Sequence, residues 1–141
     1  MKKSDIILLS VITVLALVSL FVVRTIQNNT EVPNGTAFVI FNNKPILEIE
    51  LKDGSYEVLQ TQHVFEINEE NFTYIVNGTN GPVTIEYKDG KVRVIDETSP
   101  KNICQDQGWS NSTVKPITCL PNNLVIVIKD ESIPSEIDGT G

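Results

Sequence analysis

The residue types that most often do chemistry are scarce in this chain. Its only cysteines are Cys104 and Cys119, 15 positions apart; its only histidine is His63 and its only tryptophan is Trp109. The cysteine spacing is not C-x-x-C, which gives no support to a thioredoxin-like redox centre. Zinc needs four ligands, and His63 lies far from both cysteines in sequence with no ligand spacing. The pair can be a structural bridge, free thiols, or a redox or metal site. An oxidising compartment favours the bridge. Acidic pairs occur at Glu69-Glu70, Asp96-Glu97 and Asp130-Glu131. Neighbours on a strand face opposite ways and no calcium-loop pattern is present, so these read as solvated charge. No G-x-S-x-G, P-loop or H-E-x-x-H occurs. The expectation is a protein without catalytic residues, metal or cofactor.

Trp109 follows Gly108. An aromatic face can stack a ligand or partner, which makes Trp109 the candidate partner-binding residue. The competing reading puts it in the core against a Cys104–Cys119 bridge, with Gly108 allowing close backbone approach. The residue types favour that second reading.

These residues need elements to hold them. Residues 6–23 form an uncharged apolar run behind Lys2 and Lys3. As a helix the run rises about 27 Å, close to the roughly 30 Å hydrocarbon core of a bilayer. The flanking lysines predict a cytoplasmic N-terminus and an external remainder. The run is longer than a signal peptide's apolar region and is followed by no small-residue cleavage pattern, so an uncleaved single-pass anchor is expected.

After it, residues 25–35 are polar and read as a linker. From Thr36 onward short runs rich in Val, Ile, Thr and Tyr alternate with turn signals. In 45–51 the apolar set Leu47, Ile49 and Leu51 alternates with Glu48 and Glu50. Val83, Ile85 and Tyr87 repeat the pattern, Asp89-Gly90 marks a hairpin, and Val92 and Val94 return. The expectation is an all-β domain, a small sandwich or barrel of six to eight short strands over 36–128. An anchor over 1–24 precedes it and a flexible acidic tail over 129–141 follows. The tail ends in a faint, one-residue-short likeness to a covalent flavin-attachment pattern, which carries little weight.

The 141-residue chain has a net charge of -7. Beyond residue 24, eight basic and 17 acidic residues leave a balance of -9. Such a domain is poorly suited to neutralising phosphates, so nucleic acid is not an expected partner.

From Asp89 to Val94, through Ser99-Pro100, Ile103-Cys104, Gly108-Trp109 and Cys119-Leu120-Pro121-Asn122 to the run Leu124–Ile128, the chain resembles a family of small membrane-anchored bacterial proteins. They carry a domain similar to domain II of the transcription factor NusG. The resemblance implies an all-β domain outside the membrane of a Gram-positive-type bacterium and no established activity. The family often has a further Cys before the Pro, where this chain has Ser99. A role in transcription does not follow, since the likeness is to an inserted domain only. The expected function is a membrane-anchored binding or assembly module of the cell envelope, with another envelope protein as its partner and no catalysis. The alternative is an accessory to an extracytoplasmic flavin- or quinone-linked electron-transfer system.

Overall fold

The computed structural model describes residues 2–28 and 31–131. It divides into two compact units, Met1–Glu31 and Val32–Gly141. The first is the helix α1, Lys3–Asn28. Its segment Lys3–Ile26 has a mean hydropathy of 3.1 and is long and apolar enough to cross a membrane, a property that a signal sequence shares. Three hydroxyls bond back into the helix. Ser10 donates to the Ile7 carbonyl, Thr13 to Leu9 and Thr25 to Phe21. This satisfies them without water. The helix runs on into the stretch read as a linker, as far as Asn28.

The second unit is built from strands: β1 Thr36–Phe41, β2 Lys44–Glu50, β3 Tyr56–Val58, β4 Val64–Asn68, β5 Thr73–Asn77, β6 Pro82–Lys88, β7 Lys91–Glu97, β8 Ile117–Cys119 and β9 Leu124–Lys129. They form two antiparallel sheets, ordered β3-β2-β1-β9-β8 and β4-β5-β6-β7. Nine strands among the described residues exceed the expected six to eight. The shortest, β3 and β8, pair with β2 and β9 at the two ends of the first sheet, and β4 pairs with β5 at the edge of the second. Of residues 55–62, Tyr56–Val58 is strand and Thr61–His63 is a 3-10 turn.

Two tight hairpins set the registers. Asn42 and Asn43, with φ of 49° and 64°, join β1 to β2; Asp89 and Gly90, at 49° and 77°, join β6 to β7. Paired positive φ values match the right-handed strand twist, and Asn, Asp and Gly adopt them at least cost. The alternation then falls as the sequence pattern requires. Leu47, Ile49, Leu51, Val83, Ile85, Val92, Val94, Leu124, Ile126 and Ile128 all lie in one buried core shared by both sheets. Of the tail, Lys129 ends β9; residues 132–141, with the flavin-like pattern, lie outside the described residues.

Tyrosines tie the sheets together. The Tyr74 hydroxyl on β5 donates to the Gly54 carbonyl at 2.7 Å, and the Tyr87 hydroxyl on β6 donates to the Leu51 carbonyl at 2.9 Å. Gly54 has φ of 77°, and a Cβ there would stand 2.6 Å from the Tyr87 ring, so the turn admits no side chain. Burial pushes the Tyr74 phenol up to about 12 from an ordinary 10.0. The fold therefore favours the protonated phenol. Its contribution is whole below about pH 10 and fades between about pH 10 and 12. Tyr74→Phe leaves the buried Gly54 carbonyl without its donor. It is expected to cost about 1–3 kcal/mol, read as a lower Tm by calorimetry. It should also blunt the alkaline loss of stability, leaving the part due to Tyr87, whose phenol burial also raises.

Candidate functional site: the Cys104–Cys119 loop and Trp109

β7 continues past Val94 with an extra residue. Val94 pairs with Ile85 and Asp96 with Thr84, so Ile95 is a bulge. The bulge reverses the alternation. Ile95 and Asp96 turn outward, and Glu97 falls on the inner face opposite Val83. Glu97 is only 7% exposed, which corrects its reading as solvated charge. No residue pattern in VRVIDE marks the bulge in advance.

The chain then reaches Cys104, which opens a 3-10 turn, Gln105–Gln107. Glu97 Oε1 accepts the backbone N–H groups of Cys104 at 2.7 Å and Gln105 at 3.4 Å. Cys104 is bonded to Cys119, with Cα atoms 5.1 Å apart, and both are fully buried. The bridge reading therefore holds, and the free-thiol reading falls. The second Glu97 oxygen, Oε2, lies 3.3 Å from Cys119 Sγ. The Asn122 amide donates to the same sulfur at 3.6 Å, while its Oδ1 accepts the Asn80 N–H at 3.0 Å. The carboxylate and the two sulfurs lie within 4.8 Å of one another. Sulfurs bonded to each other are not thiolates, so the trio is not a metal ligand set as it stands. His63 is not in it: its ring packs on Phe41 at 5.0 Å and meets the Gln62 amide.

The loop between the cysteines is held by polar contacts. Gln107 binds the Thr118 main chain twice, accepting its N–H at 2.8 Å and donating to its carbonyl at 2.7 Å. Ser110 pairs with Val92 on β7 through both backbone bonds and donates its hydroxyl to the Lys115 carbonyl at 2.6 Å. The Asn111 carbonyl accepts from Val32.

That bridge decides where Trp109 goes. Val92 and Ser110 are both buried, so their strand neighbours Arg93 and Trp109 both turn outward. The Arg93 guanidinium sits 4.3 Å above the indole and is also paired with Glu86 at 2.7 Å. Trp109 is half-buried and outside the core, which corrects the reading that packs it on the bridge. Gly108 is needed for its φ of 68° and not for a close approach, since a Cβ there would meet nothing within 4 Å. Trp109 lines a surface cavity of about 340 Å³ with Lys88, Asp89 and Lys91. The Lys115 ammonium reaches the Trp109 carbonyl at 3.3 Å.

The comparisons agree with this architecture. No curated protein matches the sequence. Among solved structures, the chain is similar to a DUF1312 family protein from Enterococcus faecalis. Identity is 23%, with a TM-score of 0.52, over 69% of this chain and 98% of the other. It is similar also to the Lin0431 protein from Listeria innocua, at 21% identity and a TM-score of 0.52, over 69% of this chain and 97% of that one. At these identities the likeness is one of fold. The sequence matches NusG domain II across residues 9–132, helix and both sheets together; the chain belongs to the NusG domain II family.

Proposed function

We propose that this protein is a single-pass membrane protein whose β domain, a small sandwich, stands outside the cytoplasm and binds an envelope protein through the face around Trp109. The observation that carries the reading is the indole itself: partly exposed, flanked by Arg93, and lining a cavity with Lys88, Asp89 and Lys91. An aromatic ring held beside an Arg side chain on a strand supplies contact area at little entropic cost, which is why such groups anchor interfaces. The apolar helix and the internal disulfide support the placement. In this reading the domain catalyses no reaction on a substrate and takes no nucleic acid, consistent with its acidic balance.

Two outcomes are expected. Protease added to intact protoplasts removes the β domain and leaves the anchor; protection until the membrane is lysed would reverse the topology. Cross-linking in intact membranes then compares the wild type with Trp109→Ala. The variant is expected to keep its circular dichroism and lose at least about tenfold of the cross-linked product, as an interface hot spot does. Unchanged cross-linking would remove Trp109 from the interface. A visible flavin spectrum in the purified protein would favour an electron-transfer accessory instead.

A further inference from the structure

A purely structural disulfide has no use for a carboxylate at its sulfur. Glu97 Oε1 is occupied by two backbone donors, but Oε2 faces Cys119 Sγ at 3.3 Å, and a disulfide sulfur carries no hydrogen. No other donor to Oε2 is seen among the described residues. Burying a carboxylate oxygen without a partner is costly. The contact becomes a hydrogen bond once Cys119 is a thiol, with S–H as donor and Oε2 as acceptor. The site is therefore better satisfied when the cysteines are reduced than when they are joined.

We propose that Cys104 and Cys119 form a reversible dithiol–disulfide couple with Glu97 as its proton relay. The reductant is a dithiol. One of its thiolates attacks Cys104 Sγ, the Cys104–Cys119 bond breaks, and Cys119 leaves as a thiolate that takes its proton through the Glu97 carboxyl. The second thiolate of the reductant closes its own disulfide and releases Cys104, which is protonated from water. Two electrons and two protons pass to the cysteines, and the reductant leaves as a disulfide. In reverse, Glu97 takes the Cys119 proton and frees a thiolate to attack. Attack on Cys104 is the productive direction because the leaving sulfur is then the one beside the carboxyl.

Both sulfurs are fully buried, so attack on Cys104 waits on a local opening. β8, which carries Cys119, is three residues long, ends its sheet and pairs with β9 at three positions, so its release uncovers the bond at the cost of few ladder bonds. Among the His, Cys, Asp and Glu side chains of the described residues, the two cysteines are those whose ligand atoms cluster within 4.8 Å with the Glu97 carboxylate. β6 presents Val83 and the turn after β8 presents the neutral Asn122.

The test uses the full chain in detergent, wild type against Glu97→Gln. The variant keeps an Oε1 acceptor for Cys104 and replaces the relay oxygen with an amide. Equilibration in dithiothreitol buffers, followed by trapping and mass spectrometry, is expected to move about tenfold toward the disulfide in the variant, or ~30 mV. In the reduced protein, alkylation of Cys119 is expected to begin at lower pH in the variant, because the neighbouring carboxylate that opposes thiolate formation is gone. Should Glu97→Gln fail to fold, Glu97→Asp withdraws the carboxylate by one methylene and must move both readouts in the same directions. Equal potentials and equal alkylation profiles in folded variants would overturn the relay. Loss of β-sheet circular dichroism on reduction of the wild type would overturn the couple itself.

Discussion

The bond between Cys104 and Cys119 holds the part of the domain that packing cannot. Between Glu97 and Ile117 the described chain has little apolar surface to bury; Ile103 and Val114 are both exposed. Closing 15 residues with a crosslink restricts the unfolded chain by about 3 kcal/mol in the loop-entropy account. That is a large part of the ~5–15 kcal/mol by which a domain is stable. The bridge joins the turn that follows β7 in one sheet to β8 in the other, so it links the two sheets where the hairpins do not. The position of Trp109 depends on it, because the Ser110–Val92 bridge is made by a loop already fixed at both ends.

Much of this was legible from residue order. Strict alternation placed Leu47, Ile49 and Leu51 on the inner face, and Asp-Gly placed the β6–β7 hairpin, because both signals are local. The errors share one cause: they depend on register between distant segments. Glu97 looked like surface charge because a bulge, set by pairing with β6, cannot be seen in β7 alone. Trp109 looked like core because its direction is set by the pairing of Ser110 with Val92, 18 positions away.

Electrostatics and packing meet at β7. Its outward residues include Lys91 and Arg93, and the indole covers the second of these. Arg93 is shared between the Glu86 carboxylate and the Trp109 ring. Both contacts fix the guanidinium plane, and each limits how far the indole can swing. An acidic domain thus presents, at one place, a cationic and aromatic surface whose geometry is already set before anything binds.

The two bonds of Gln107 to Thr118 have a consequence for the way copies of this protein meet. β8 ends its sheet, and the outward N–H and C=O of its middle residue would otherwise be open to a strand from another molecule. The Gln107 amide occupies both, one as acceptor and one as donor, in the manner of a single residue of an added strand. The sheet is finished from within at that edge. Where many copies crowd together, this edge gives them no template for running together into a continuous sheet.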